Sequence, residues 1–76
     1  LPSEIVCDQP LLMIAANKEI FIENHKGIAL YQDDLLKVRI KNGILSIKGH
    51  NIYVKEISAD YLSVSGEISH IQFEDW

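Results

Sequence analysis

The sequence of 76 residues has little cysteine, little proline and no long apolar run. Cys7 is the one cysteine, so the chain can form no internal disulfide, and it fits a reducing compartment. Both prolines, Pro2 and Pro10, lie in the first ten residues, so no proline-rich linker divides the rest. The longest unbroken apolar run, 11–16, is far shorter than the roughly 18 residues that a membrane span needs. These absences exclude a disulfide framework and predict no direct membrane span.

Length and composition predict one small domain over residues 1–76. A chain of 76 residues that is 47% hydrophobic has room for a single core. A domain of this size buries only about 60–65% of the surface that its unfolded chain exposes, so its stability alone is small. Because no disulfide compensates, we expect another subunit to complete the core, which predicts a homo-oligomer.

Alternation of apolar and polar residues predicts an all-β chain. Helix-period stripes are absent after about residue 18, whereas short alternating runs fill the sequence between residues 19 and 73. The interleaved polar residues, such as Lys37 and Ser46, are typical of the solvent face of an antiparallel sheet. The alternating apolar residues are Ile20/Ile22, Ile28/Leu30, Leu36/Val38/Ile40, Leu45/Ile47, Ile52/Val54, Leu62/Val64 and Ile71/Phe73.

Turn residues separate these runs at regular intervals. Asn42-Gly43 predicts a two-residue type I′ hairpin loop, because both residue types tolerate positive φ. Asn24 and Gly27 predict a second, bulged hairpin between them. Softer turn signals lie at Gln32-Asp33-Asp34, Gly49-His50-Asn51, Ser58-Ala59-Asp60 and Gly66-Glu67. The predicted fold is an antiparallel meander of about eight short strands over residues 11–76, curled into a barrel or two-layer roll, after an extended or short helical lead-in over 1–10.

A weak internal repeat supports an alternative fold. The string Leu45-Ser46-Ile47-Lys48-Gly49 is similar to Leu62-Ser63-Val64-Ser65-Gly66. Each copy could be one coil of a short β-solenoid, or the two could be similar hairpins. The hairpin chemistry of Asn42-Gly43 favours chain reversal and therefore the meander.

The titratable residues form no recognised catalytic or metal-binding spacing. His25 and His50 fall in predicted turns, where histidine is usually a solvated loop residue. His70 has no cysteine or histidine nearby at metal-site spacing, and the chain has no glycine-rich phosphate loop. Cys7 has no partner that the sequence places beside it. The sequence therefore predicts a protein that is not an enzyme and that binds no metal or cofactor.

Positive charge is concentrated in one acid-free stretch, although the formal net charge is −4. Strand alternation places Lys37, Arg39 and Lys41 on one face, and the neighbouring strand adds Lys48. This basic patch could bind a partner, bind nucleic acid as small barrels do, or simply keep the sheet soluble. The acidic total disfavours nucleic acid.

Apolar residues on the outward face of the predicted strands would mark an interface. Outward positions of this kind are Phe21, Ala29, Tyr31, Ile44, Tyr53 and Tyr61. They favour an assembly module over an enzyme.

The sequence resembles the YabP/YqfC family of sporulation proteins, and the YqfC-type members in particular. The strongest match is the string Ile22-Glu23-Asn24-His25-Lys26-Gly27-Ile28. Further matches in order and spacing are Leu1-Pro2-Ser3-Glu4-Ile5-Val6, Pro10, Gly43, Leu45-Ser46-Ile47-Lys48-Gly49-His50-Asn51, Val64-Ser65-Gly66-Glu67-Ile68 and Ile71. One departure is Ala15-Ala16, where the family pattern has a glycine near the first turn.

The resemblance implies a small cytoplasmic protein of the mother cell of a sporulating Gram-positive bacterium, with a YqfD-type membrane protein as partner. It brings no catalytic residue. The shared Asn24 and Gly27 suit a tight turn, and Gly43, Gly49 and Gly66 suit further turns or bulges. We expect His25 and Lys26 to lie exposed at a hairpin tip and to contact the partner, so that His25→Ala would leave the fold intact.

Overall fold

The computed structural model describes residues 8–74, in which it contains six β-strands and no helix. The strands are β1 (Leu11–Ala15), β2 (Glu19–Glu23), β3 (Ile28–Tyr31), β4 (Leu35–Ile40), β5 (Gly43–Ile57) and β6 (Tyr61–Glu74). They form one sheet in the order β1-β2-β6-β5-β4-β3, and all neighbours are antiparallel. The predicted all-β antiparallel class is confirmed. Most of the predicted lead-in, residues 1–7 including Cys7, lies outside the described residues.

The number of strands differs from the predicted eight because two predicted turns are bends inside long strands. β5 has 15 residues and β6 has 14, and their pairing continues past Gly49 and Gly66 with shifts in register. A Cβ atom on Gly49 would collide with the carbonyl oxygen of Glu67, and one on Gly66 would lie 2.8 Å from that of Asn51. Gly66 also has a φ of +147°, which side chains rarely allow. The two backbones approach closely here, so the hairpin bends instead of ending.

The bend folds the sheet into two layers that share one core. Layer A consists of β1, β2, residues 61–65 of β6 and residues 53–57 of β5. Layer B consists of residues 68–74 of β6, residues 43–48 of β5, β4 and β3. Fully buried side chains come from both layers: Ile20, Ile22, Leu62 and Val64 from layer A, and Leu36, Val38, Leu45 and Ile47 from layer B. Because the described residues include no helix that could cover them, each layer covers the other.

Strand pairing leaves the sheet open, with β1 and β3 as its edges. The structure therefore corresponds to the predicted two-layer roll and not to a closed barrel. The alternative β-solenoid is wrong, because solenoid coils stack in parallel whereas every pair here is antiparallel.

Two loops hold the bend in place through backbone hydrogen bonds. The loop between β1 and β2 accepts hydrogen bonds from the amides of Gly66 and Ile68 at 3.1 and 2.8 Å. The loop between β3 and β4 accepts hydrogen bonds from the amides of Gly49 and Ile52 at 3.1 and 2.8 Å. Amides that the bulges remove from the ladder are thus paired, which removes the cost of burying them unpaired.

The hairpin between β4 and β5 lies where it was predicted, but its loop is one residue earlier. Ile40 pairs with Gly43, so the two loop residues are Lys41 and Asn42, and Asn42 takes a φ of +63°. Gly43 begins β5 and is buried. The predicted loop would have changed the pairing by two residues, which leaves the same side chains on each face. Alternation alone therefore could not select the register.

The segment after Asn24 was predicted as a hairpin loop and is instead a crossing between the layers. β2 pairs with β1 and β6, and β3 pairs with β4, so β2 and β3 are not neighbours. The chain leaves layer A at Asn24 and enters layer B at Ile28. Consecutive strands need not pair when a folded sheet gives each a better partner.

Candidate interaction surfaces

His25 lies in the crossing segment and is buried, with 6% of its surface exposed. Its Nε2 lies 2.9 Å from the carbonyl oxygen of Ser58 and 3.2 Å from that of Tyr61. Its Nδ1 accepts a hydrogen bond of 3.0 Å from the amide of Gly27. Since Nδ1 accepts, the ring proton of neutral His25 lies on Nε2 and points to the two carbonyl oxygens.

These contacts give His25 a structural role. The ring fastens the crossing segment to the turn between β5 and β6, with both nitrogens engaged by backbone groups. The prediction that His25 is an exposed hairpin tip is wrong, because the segment crosses the core region instead of reversing at the surface. Neither ring nitrogen is free to meet a partner.

The residues around His25 complete this attachment. The amide of Asn24 donates to the carbonyl oxygen of Asp60 at 2.6 Å, and its side chain donates to the carbonyl oxygen of Gln9 at 2.9 Å. Asn24 has a φ of +66° and Gly27 a φ of +106°, so both residues take the left-handed conformation, although the predicted hairpin between them does not form. The amide of Lys26 donates a hydrogen bond of 2.7 Å to the carbonyl oxygen of Arg39, and Lys26 is exposed.

The predicted basic residues gather on the outer face of layer B or at its end. Lys37 and Arg39 alternate with the buried residues of β4, and Lys48 pairs opposite Leu35 on the same outward side. Lys41 lies in the adjacent loop. Lys26 joins them because its backbone pairs with that of Arg39. We call this set, Lys26, Lys37, Arg39, Lys41 and Lys48, the basic face.

Two members of the basic face are already engaged. The Nζ atom of Lys37 lies 3.4 Å from Oε1 of Glu74, and the Lys37 side chain is one-third exposed. The guanidinium of Arg39 donates a hydrogen bond of 2.9 Å to the carbonyl oxygen of Ile28 in β3. Lys26, Lys41 and Lys48 are exposed, so they are the members best placed to meet a charged partner.

The tyrosines that could have served as stacking platforms are not on the basic face. Tyr53 and Tyr61 lie on the outer face of layer A, where Tyr53 is opposite Ser65 and Tyr61 is opposite Glu23. The Tyr61 ring stacks on Phe21, with ring centroids 6.4 Å apart. Binding of single-stranded nucleic acid combines basic and aromatic side chains on one surface, and this arrangement separates them.

The outer face of layer A also carries acidic residues. The Lys55 ammonium lies 2.9 Å from Oε2 of Glu19. Its hydrogen bond and charge lower the pKa of Glu19, and the carboxylate in turn raises the pKa of Lys55. Glu23 and Glu56 are exposed on the same face. The two outer faces therefore differ in sign of charge.

An apolar groove of about 210 Å³ lies on the outer face of layer A beside the edge strand β1. Its lining residues are Leu11, Met13, Phe21, Glu23 and Tyr61. Leu11 is 57% exposed and Met13 is 64% exposed, which is unusual for large apolar residues that are neighbours on one face. Outward placement of Phe21 and Tyr61 was predicted, whereas Leu11 and Met13 were missed. The sequence feature that could have revealed them is the uncharged run 11–16. In an all-β chain this run forms a strand that is apolar on both faces, so one of its faces must be exposed or covered by a partner.

Within the part of the chain that the structure describes, no group of three or more histidine, cysteine, aspartate or glutamate side chains could hold a metal ion. In the same residues no helix is long and apolar enough to cross a membrane.

Comparison with known proteins points to one family. The model described as "YabP family" matches residues 8–76, which include every strand of the sheet. The chain is 26% identical over 73 residues to the protein named "Uncharacterized protein YqfC" of Bacillus subtilis strain 168. That match covers 96% of this chain and 78% of the relative. No solved structure matches the chain significantly.

Proposed function

Because the chain belongs to the YabP family, we propose that it is a non-enzymatic assembly protein of bacterial endospore formation. Its proposed partner is a membrane protein of the YqfD type, and its proposed place is the cytoplasm of the mother cell, at the membrane through that partner. This setting is what the family resemblance implies, and the similarity to YqfC extends over 96% of the chain. The engagement of both His25 nitrogens by backbone groups supports a structural use of the family's histidine over acid–base chemistry.

The exposed part of the basic face is the observation that carries the partner contact. Lys48 on β5, Lys41 in the adjacent loop and Lys26 in the crossing segment are all exposed at this side of the molecule. An acidic segment of the partner would be attracted to this side and repelled by the acidic outer face of layer A. The proposed contact is therefore electrostatic and orients the protein on its partner.

The biological part of the proposal is tested by deleting the gene in the bacterium that encodes it and counting heat-resistant spores. We expect a large loss of spores, restored by the wild-type gene. A normal spore count in the deletion strain would overturn the proposed role.

The partner contact is tested by capture of the YqfD-type membrane protein from detergent extracts. We expect the double variant Lys41→Glu/Lys48→Glu to capture much less of it than the wild type, and the loss to resemble that caused by high salt. The control is Glu56→Lys, a charge reversal of the opposite sign on the acidic outer face of layer A, which should leave capture undiminished. Undiminished capture by the double variant would contradict the contact. Salt-sensitive binding of single-stranded DNA or RNA by the same face would favour a nucleic-acid function instead.

A further inference from the structure

The two edge strands of the sheet are protected to different degrees. β3 has only four residues and a bulge between Ile28 and Leu30, and Arg39 occupies the carbonyl oxygen of Ile28. Short length, bulges and charged side chains are the devices by which proteins keep edge strands from pairing with other chains. β3 is thus protected in three ways.

β1 has neither a bulge nor a charged side chain, and it is one residue longer than β3. Its five residues are all apolar, its pairing with β2 is regular along the whole strand, and β2 is its one neighbour among residues 8–74. Ile14 is 57% exposed on the inward face, and Leu11 and Met13 are exposed on the outward face. An uncharged, regularly paired edge with apolar residues on both faces favours the addition of another strand.

The backbone groups available on this edge can be identified. Lys18 donates to the carbonyl oxygen of Ala15 across the β1–β2 turn, so Ala15 directs its carbonyl toward β2. In an antiparallel pair the direction of the backbone groups alternates along the strand. The backbone N–H and C=O groups of Met13 and Leu11 therefore also point toward β2. Those of Leu12 and Ile14 point away from the sheet.

We propose that the β1 edges of two copies of this chain pair antiparallel about a two-fold axis at Met13. In this register Leu12 of one copy exchanges hydrogen bonds with Ile14 of the other, which uses the outward backbone groups on both strands. Met13 meets its own mate on the axis, and Leu11 lies opposite Ala15. The apolar grooves of the two copies then join across the axis.

The apolar composition of β1 and the proline before it support a second copy as the occupant. The positions that pair in this register add up to 26, so all five residues of β1 pair in both copies and no charged residue enters the interface. Pro10 has no N–H to donate and stands just before the strand, which confines the pairing to the five residues of β1. The strand is thus complementary to itself in its outward backbone groups and its apolar residues.

This pairing goes beyond the proposed function, because capture of a membrane partner by the basic face requires no second copy. The proposed self-association and the proposed partner contact can therefore be disproved independently. Lys41→Glu/Lys48→Glu should leave the self-association unchanged, and loss of self-association in a β1 variant should leave the basic face intact.

The mass of the full chain in solution gives the first test. We expect light scattering to give twice the chain mass of 8.6 kDa over a roughly hundredfold range of concentration, and a single chain mass for Met13→Lys, which places two ammonium groups on the axis. Phe73→Lys is the control, since Phe73 is exposed to a similar degree, 62% against 64% for Met13, but lies on β6. A wild-type monomer, or a dimer that Met13→Lys leaves unchanged, would overturn the proposal. So would a dimer that forms only after residues 1–7 are removed.

Cysteine cross-linking tests the register, on a Cys7→Ser background. We expect Met13→Cys to form a disulfide-linked dimer on mild oxidation, because directly opposite residues have their Cβ atoms only about 4.5–5.5 Å apart. Leu11→Cys alone should not cross-link, since its mate is about four residues along the strand, but a mixture of Leu11→Cys and Ala15→Cys should. Cross-linking of Leu11→Cys with itself and not of Met13→Cys would exclude this register.

Discussion

Single residues in this protein are best understood through the backbone groups they satisfy. His25 binds three backbone groups that belong to two distant parts of the chain, the crossing segment and the β5–β6 turn. Removal of such a side chain leaves buried polar groups without partners, which costs more than the net value of the hydrogen bonds. Its importance therefore lies in stability and not in an exposed contact.

We expect His25→Ala to lower the free energy of unfolding by about 1–3 kcal/mol, because it frees three backbone groups and opens a cavity. Urea unfolding at one protein concentration measures this difference. His50→Ala, at an exposed histidine, is the control and should change stability by less than about 0.5 kcal/mol. Equal midpoints for His25→Ala and the wild type would contradict the structural role.

Ser46, in contrast to His25, is a buried polar side chain without a hydrogen-bond partner among the described residues. It is 1% exposed on β5 between Lys37 and Gln72, and its hydroxyl has no hydrogen-bond partner among residues 8–74. We expect Ser46→Ala to leave thermal stability unchanged or to raise it by up to about 1 kcal/mol, because an unpaired buried hydroxyl is removed. Ser65→Ala should instead lower the melting temperature, since the Ser65 hydroxyl donates to Glu19 at 3.3 Å. A melting temperature for Ser46→Ala well below that of the wild type would indicate that the hydroxyl is paired.

At the scale of elements, the β5–β6 hairpin organises the molecule. It contributes strands to both layers, and the carbonyl oxygens of the β1–β2 and β3–β4 loops accept hydrogen bonds from the amides of its bend. The buried residues of β2 and β4 belong to one core only because this hairpin folds over. The bend therefore decides whether the two halves of the core meet.

Glycine substitutions test whether the close approach of the two backbones at the bend is needed for stability. Gly66→Ala combines a positive φ with a contact of 2.8 Å to the Asn51 carbonyl oxygen, so we expect it to destabilise by more than about 2 kcal/mol or to prevent folding. Gly27→Ala has a positive φ but open space around the added carbon, and it should cost only about 1–2 kcal/mol. Circular dichroism melts of the two variants rank them. A Gly66→Ala protein as stable as Gly27→Ala would show that the close approach is not needed.

The whole molecule is small, and a second copy would add to its core at the β1 edge. A chain of this size has little buried surface in reserve, while Leu11, Met13 and Ile14 expose apolar surface along one strand. Pairing of two copies covers this surface and extends the sheet without new folding. The two outer faces, basic and acidic, stay available to other proteins.

Self-association makes stability depend on concentration. We expect the melting temperature of the wild type to rise with protein concentration, because mass action favours the paired state over the unfolded chains. The melting temperature of Met13→Lys should be lower and independent of concentration. Differential scanning calorimetry at several concentrations distinguishes the two, and identical behaviour of wild type and variant would argue against coupling between pairing and stability.

Sequence patterns determined the fold class and the face on which each strand buries its side chains. Ile20, Leu36, Leu45 and Leu62 were placed on the inward face, and all four are fully buried. Alternation is local information, carried by neighbours within one strand, so it survives whatever the strand pairs with. The positive φ angles of Gly27 and Asn42 are local in the same way.

Only the tertiary structure decided which strands pair, where the long hairpin bends and where His25 lies. Gly49 and Gly66 carry the same turn chemistry whether a strand reverses or bulges, and the choice depends on the backbones that approach them from elsewhere. Burial of His25 depends on carbonyl oxygens of Ser58 and Tyr61, more than 30 residues away. Local patterns fix the conformation of a residue and its face, whereas distant contacts fix its surroundings, and the function of a surface depends on those surroundings.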